Sequence, residues 1–351
     1  MVAPTLGREA RPPRDRKRRS IAGQYFERAP GAGGGVLADA LRAAQIATHK
    51  GGHHRGEEDY VADGRRHPFA GINAPIGWRT ALPDLIGADG RPSGTPQVTR
   101  TDETATLRTA TIRSSACLAA GTHLLEIPEG ELVDMVDGKP VLDDQLAGFD
   151  LIRPAPFAPV ELTGDEGEVA LSDSPIARAQ IDRAATEQLA VRFEILRSTL
   201  RTNGPDRIES QLLRAIPAGL GVALDGLMLR ALSAATADAS GDPPTVVHEI
   251  CGRAGLRWAE LACIVGQNSW APETHGTTLH VSGIHAEHSA GAPHTIVGAW
   301  DRCAIAASPE IEVLIERRDA SGKLVVTAWC DAQALVPDAS YFEEIGADPL
   351  A

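Results

Sequence analysis

Two histidine clusters are the residues whose type and spacing come nearest to chemistry. In THKGGHHRGEED, His49, His53 and His54 stand beside Glu57, Glu58 and Asp59. In HVSGIHAEHSAGAPH, His280, His285, His288 and His294 fall within fifteen residues, with Glu287 among them. Neutral imidazoles at i and i+3 or i+4 can share a divalent metal, and a carboxylate can complete the set. In the first cluster Gly51-Gly52 breaks the helix that would align His49 with His53, so it reads as a solvated polar loop. In the second, His285 and His288 with His280 or Glu287 would make a zinc set, although no cysteine joins them and the neighbours are Ser, Gly and Ala. A soluble metal-dependent enzyme using the His280–His294 segment is therefore carried as an alternative reading.

Other motifs fall short of a site. VVHEICG starts like a zinc-protease helix, but Gly252 stands where the second histidine is needed. GAGGGV (Gly31 to Val36) precedes a helix and suggests a phosphate cradle. A dinucleotide fingerprint needs a preceding strand and the spacing G-x-G-x-x-G, and QYFERAP with this spacing supplies neither. Ser114, Ser115, Ser289 and the cysteines lack a nucleophile-elbow or Cys/His signature. No catalytic residue, metal ligand or cofactor-binding residue is assigned, and no cofactor is expected.

Composition narrows the class. With 43% apolar residues over 351 positions the chain can build a core of one elongated body or two domains. Gly (35) and Pro (24) are plentiful while aromatics are 4%, which suits many turns better than a helical bundle. A net charge of −13 argues against a protein whose main task is gripping nucleic acid. Basic charge gathers in REARPPRDRKRR (Arg8 to Arg19), which reads as an unfolded arm, either a solvated tail or one that touches nucleic acid. Cys117, Cys251, Cys263, Cys303 and Cys330 are odd in number and never paired as CxxC, as expected of small buried residues in a reducing compartment. No apolar run has the length of a membrane span and no signal-peptide core is evident, so no membrane partner is expected.

The elements follow from periodicity. GVLADALRAAQIATH is a helix with Leu37, Leu41 and Ile46 along one face, whereas HPFAGINAPIGW and GADGRPSGTPQ read as loop or extended arm. TLRTATIRSSACLAAGTHLLEIP reads as helix, turn and strand. The acidic stretch from Glu129 to Pro175 has several strand-like pieces, with Asp137-Gly138 a hairpin turn between ELVDMV and KPVL. It has too little core to stand alone and needs a neighbour to lie against. LAVRFEILRSTLR (Leu189 to Arg201) reads as a strand. The longest helical pattern comes next, opening with Asp206 as N-cap and Glu209 at capping-box spacing. Its stripe is Leu212, Leu213, Ile216, Leu220, Leu224, Leu227 and Met228, with a break expected at Pro217. Another helix is expected around Trp258 to Val265. From His294 to Trp329 the chain reads as four strands in an antiparallel meander, with Ile311, Val313 and Ile315 facing inward, finished by DAQALVPDASYFEEI.

This order resembles the major capsid proteins of tailed bacteriophages, the Hong Kong 97-type fold. The family's spine helix carries a pattern like DIE…L..AIA.ALD..L, which DRIESQLLRAIPAGLGVALDGLML (Asp206 to Met228) follows. Its C-terminal part has a GDW-like turn, matched by Gly298, Ala299 and Trp300, and closes near V..P.AF, matched by VPDASYF. The resemblance covers roughly residues 105 to 345; the Gly-rich segment common after the spine helix is missing, and the central region is short.

The resemblance implies an α+β fold with a long spine helix, an antiparallel C-terminal sheet and an extended β loop. It divides the chain into an arm or scaffold-like region (1–103), an entry to the body (104–125), an extended β loop (126–190), the strand and spine helix of a peripheral domain (191–238), a short axial-type domain (239–293) and the peripheral sheet with the C-terminus (294–351). It implies a non-enzymatic subunit that assembles with itself, as hexamers and pentamers, into an icosahedral shell around double-stranded DNA held by weak, non-specific contacts. A portal and a scaffold or maturation protease are the further partners it suggests, and the place is the virion, after synthesis in the bacterial cytoplasm. Some members cross-link through a loop lysine; Lys139 lies in the loop, but no partner is identified and no cross-link is assigned. An encapsulin-like compartment of the same fold would also form shells, around protein cargo.

Overall fold

The stripe Leu212, Leu213, Ile216, Leu220, Leu224, Leu227 and Met228 is buried along its whole length, on a helix that runs from Arg197 to Ala235. The computed structural model describes residues 35–50, 71–82, 106–128, 131–136, 139–143, 148–155, 157, 172–236, 238–239, 243–257, 263–266, 272–276, 278–289, 295–317 and 323–345. The basic segment Arg8 to Arg19, the cluster His53 to Asp59 and the loop GADGRPSGTPQ lie outside the described residues.

The chain enters with α1 (Val36–Lys50), whose Leu37 and Leu41 are buried on the expected face. The segment read as loop or extended arm is extended, and it is paired: it forms β1 (Gly71–Asn73) and β2 (Ile76–Gly77), followed by the buried Trp78. Helices α2 (Leu107–Ser114) and α3 (Ala116–Ala119) and strand β3 (His123–Glu126) come next. Thr106 and Ser115 cap the two helices, each hydroxyl accepting from the backbone N–H three residues on. Two hairpins follow. β4 (Glu131–Val136) pairs with β5 (Lys139–Asp143), Val136 opposite Lys139, the register a two-residue turn at 137–138 requires. β6 (Gly148–Ile152) pairs with β7 (Ile176–Gln180).

Strand β8 (Glu187–Ile195) then leads into α4 (Arg197–Ala235). The strand is shorter than expected: Arg197 to Arg201 are already helical. The expected break at Pro217 is displaced to Gly204, the residue inside α4 with non-helical dihedrals (φ 74°, ψ 162°). Pro205 directly follows it, a first-turn position where a missing N–H costs nothing. Pro217 stays helical because Leu213, Ile216 and Leu220 on either side are buried, and their packing outweighs one lost backbone bond. Gly221 has a packing reason: a Cβ there would stand 2.8 Å from the Thr111 carbonyl oxygen, so glycine is what lets α2 cross α4 closely. Although α4 is long and apolar enough to cross a membrane, 67% of its most apolar window is buried in the body, as in the core helix of a globular fold.

After α4 come β9 (Asp238–Ala239), α5 (Pro243–Ala254), β10 (Cys263–Gly266), β11 (Pro272–His275), β12 (Thr278–Val281), β13 (Ile284–His288), β14 (Ile296–Gly298), β15 (Ala304–Ala307), β16 (Glu310–Arg317), β17 (Leu324–Leu335) and β18 (Phe342–Ile345). The helix expected at Trp258 to Val265 is contradicted at its C-terminal end, residues 258–262 lying outside the described residues. Cys263 to Val265 lie in β10, whose residues are buried on both faces, and the helix of this region is α5, upstream. A run of consecutive buried residues suits a central strand as well as a buried helix, and burial on both sides decided for the strand.

Two mixed sheets flank the core. One has the order β1-β16-β17-β15-β3, with β2 also on β16 and β8 also on β17; the other runs β11-β12-β13-β10-β14-β18-β9. The expected simple meander is corrected in two ways. β14 belongs to the second sheet, and β15 and β16 lie end to end along one edge of β17 with β8 on the other, since Ala332 pairs with both Ala307 and Glu187 and Trp329 with both Glu312 and Ala190. β15 to β17 do pair antiparallel, but β3 adds a parallel partner to β15. The crossing between sheets is pinned at the Gly298-Ala299-Trp300 turn. Trp300 is fully buried and its Nε1 donates to the Cys263 carbonyl at 2.8 Å. At Gly298 a Cβ would lie 2.7 Å from the Tyr341 carbonyl oxygen. On β16 the anticipated alternation holds at its start, with Ile311, Val313 and Ile315 buried and Glu310 and Glu312 exposed, and breaks at Glu316, which is buried beside Ile315.

Candidate functional site

The histidines of the return segment are brought together only in part. His280 of β12 is directly opposite His285 of β13, and their ring centroids are 5.8 Å apart. His288 is the last residue of β13, three residues along, so its side chain leaves from the opposite face of the strand to His285. His294 lies outside the described residues. Among the described residues no three His, Cys, Asp or Glu side chains converge as a metal site. The zinc set His280, His285 and His288 is therefore not assembled, because an i, i+3 pair that would share a helix face is split across a strand.

One catalytic-looking alignment was not legible in the sequence. Cys263 Sγ lies 3.4 Å from His285 Nδ1, and His285 Nε2 lies 3.2 Å from Glu287 Oε1. Nucleophile, base and orienting carboxylate are thus in line, joined across β10 and β13 by pairing between residues 22 apart in sequence. The thiol is nevertheless spent as a core atom. Cys263 is completely buried, and burial, with the nearby Glu287 charge, pushes its pKa well above the ordinary thiol range. Thiol chemistry needs the thiolate and access to it, and this environment denies both. Burial likewise pushes Cys303 and Cys330 up to about 12.

Ser115, Ser289 and the start of α1 are also accounted for structurally, residues 31–34 of the glycine-rich segment lying outside the described residues. Asp225, within the ALDGLML stretch of α4, is buried and accepts from Ser115 Oγ (2.5 Å), Ala116 N (2.9 Å), Cys117 N (3.0 Å) and Ser289 Oγ (3.0 Å). It ties α4 to the start of α3 and to the residue after β13. The only sequence signal for it is a carboxylate flanked by the buried stripe positions Leu224 and Leu227. At the N-terminus of α1, where a phosphate would need to sit, the Glu209 carboxylate of α4 accepts from the backbone of Gly35, Leu37 and Ala38. Burial raises the Glu209 pKa, with a push from Asp206 in the same direction, partly offset by those backbone donors. Glu209 thus caps α1 instead of its own helix, and Asp206, the expected N-cap, pairs with Arg42 of α1.

The surfaces left unsatisfied lie elsewhere. The β6–β7 hairpin rests on its own body: Phe149, Ala179 and Ile181 pack with Ile127, Ala304, Ala306 and Leu335. Arg153 pairs with Asp338 at 3.2 Å, and Arg302 donates to the Ile152 carbonyl at 3.4 Å. Half of the excursion expected to need a neighbour thus lies against its own sheet. Its far end is different. Ile152 and Ile176, directly opposite in the hairpin, are 70% and 57% exposed, and Phe157 is 98% exposed. The β4–β5 hairpin pairs with no other described strand.

On β8 an apolar groove of about 290 Å³ opens between sheet and helix. Leu189, Val191 and Phe193 form one wall, Ala215, Ile216, Gly219, Leu220 and Ala223 of α4 another, and Ile311, Ala328, Trp329 and Cys330 the floor. β8 is an edge strand among the described residues, paired on one side with β17. Its rim is charged: Glu187 pairs with Arg230 at 2.7 Å and Glu194 with Lys323 at 3.1 Å. Charged rims on an edge strand discourage indiscriminate pairing, while the groove beneath stays open.

No family model matches the sequence, and no curated protein matches it. The solved structures that the fold is similar to come from capsids and phages. One is a chain of the capsid of an empty GTA particle, at 12% identity and a TM-score of 0.41 over 76% of this chain and 99% of that one. Another is a chain of the satellite phage P4 procapsid including the size determination protein, at 10% identity and a TM-score of 0.44, covering 72% and 93%. A third is from Mycobacterium phage Cain, at 12% identity and a TM-score of 0.42, covering 68% and 91%. At these values the likeness is one of broad arrangement, and the functional reading rests on the chain's own surfaces.

Proposed function

We propose that this chain is a major capsid subunit of the Hong Kong 97 type, which assembles with copies of itself into a closed shell around double-stranded DNA. The observation that carries the reading is a pair of exposed apolar surfaces on one chain. Ile152 and Ile176 at the end of the β6–β7 pair, and Phe157 in the connection that follows β6, are exposed, and an apolar groove lies open beside β8. Both surfaces belong to one subunit and are different patches, so the contact between copies is head to tail, the kind that closes into rings or extends into lattices. One copy's hairpin end seats in the next copy's groove, and the β4–β5 hairpin extends that reach.

The spine helix on its sheet is the rigid body that repeats. Residues 126–190 serve as the extended loop, residues 239–293 as the axial-type part and the first hundred as an arm or scaffold-like segment. No catalytic role is assigned; Cys263 is completely buried, and among the described residues no three His, Cys, Asp or Glu side chains are placed to hold a metal. The net charge of −13 suits a wall that must hold DNA loosely. Particles of this kind belong in a virion, with a portal and a scaffold or protease as the further partners.

Electron microscopy of the purified full chain, with and without chelator, tests this. Uniform shells, tubes, or rings of five and six that survive chelator are the expected result. A metal-bearing monomer or dimer that never assembles overturns it. Analysis of the particle contents separates packaged DNA from the protein cargo of an encapsulin-like compartment.

A further inference from the structure

Three imidazoles touch in series on one face of the second sheet. β11, β12 and β13 pair antiparallel with Glu273 opposite His280 and His280 opposite His285, which makes a row across the strands. His275 follows two residues after Glu273, on the same face. The ring centroids of His275 and His280 are 4.8 Å apart and those of His280 and His285 5.8 Å apart, both pairs edge to face. The outer rings have carboxylates: His275 Nε2 lies 3.5 Å from Glu273 Oε2, and His285 Nε2 lies 3.2 Å from Glu287 Oε1. The middle ring has none, and His280 Nδ1 is buried without a hydrogen-bond partner among the described residues. Cys263 of β10 closes the row against His285. Among the described residues, the titratable and charged groups facing these rings are Glu273 from β11, Glu287 from β13 and the thiol of Cys263 from β10.

We propose that this row is a proton-operated latch on the β11–β12 edge. With neutral rings, edge-to-face contact holds the three strands in register. When acid charges the rings, His280 becomes a cation between two others with no carboxylate of its own, and the row pushes apart. Among the described residues β11 is the outermost strand of its sheet, four residues long and paired with β12 alone, so it opens first. The protons come from solvent, and the latch operates in the single chain whether or not the chain builds a shell.

Amide hydrogen exchange on the full chain, read by mass spectrometry over residues 272–288 and corrected for intrinsic pH dependence, tests it. Between about pH 7.5 and about pH 5.5, protection in β11 and β12 is expected to fall about tenfold, while α4 is unchanged. His280→Gln, neutral at both values, should keep the change under about threefold. Should that variant not fold, His275→Gln at the exposed rim removes one of the repelling pairs and should reduce the response in the same direction. Equal protection at the two pH values, or variants that respond like the native chain, would overturn the proposal.

Discussion

Replacing Phe157 by alanine separates assembly from folding. The side chain is 98% exposed in the subunit, so its removal takes nothing from the core, and the monomer's stability should stay within about 0.5 kcal/mol. In the proposed contact the ring goes from solvent into the apolar groove. A phenylalanine presents on the order of 200 Å², and at about 25 cal/mol per Å² complete burial has an upper bound of ~5 kcal/mol. The realised part for whole side chains is nearer 2–3 kcal/mol, and alanine retains a small share. A loss of about 2 kcal/mol weakens each contact roughly thirtyfold. Every copy gives one hairpin and receives one, so the loss recurs at each contact. The assay is the concentration at which light scattering signals assembly, alongside a thermal melt of the dilute subunit. Phe157→Ala should raise the onset at least about tenfold and leave the melt unchanged. An unchanged onset, or a melt that falls together with assembly, would refute the hairpin-in-groove contact.

Three further outcomes follow from the same geometry. Gly219→Leu fills the groove from its α4 wall; a Cβ there meets nothing within 4 Å, and leucine is favoured over glycine in a helix by about 0.8–1 kcal/mol, so chemical denaturation should show an equal or more stable subunit while assembly fails. Asp225→Ala leaves Ser115 Oγ, Ala116 N, Cys117 N and Ser289 Oγ without their buried acceptor and should cost about 3–5 kcal/mol in urea unfolding. Glu209→Gln should be more stable than the native chain at neutral pH, with the difference closing on acidification. The sign follows because a carboxyl whose folded pKa is raised contributes stability that is present below its unfolded value, 4.5, and lost as pH rises through the folded one; urea melts across that range check it.

Local periodicity made a good part of this fold legible. The stripe of α4, the Leu37/Leu41 face of α1, the register of the β4–β5 hairpin and the alternation of β16 are short-range patterns, and short-range patterns survive in sequence. What failed depends on partners far along the chain. Whether Cys263 to Val265 is helix or strand was decided by burial on both faces, and β14 could join either sheet until Trp300 anchored to Cys263. The helix break moved because packing held Pro217 while Gly204 was free to turn. At the site level, Glu209 showed capping-box spacing for its own helix yet capped another, since the spacing does not say which helix end is nearest in space. Asp225 and the Cys263–His285–Glu287 line have no sequence signature because each joins residues from separate elements.

The contact between copies is tested most directly by trans cross-linking. One preparation carries Phe157→Cys, another Ala223→Cys, both with the partly exposed Cys251 replaced by serine; they are mixed under assembly conditions and treated with a short bis-maleimide. The account predicts a covalent dimer in the mixture and neither variant linking by itself, with the yield rising as particles form. Particles that form without any such dimer would contradict it.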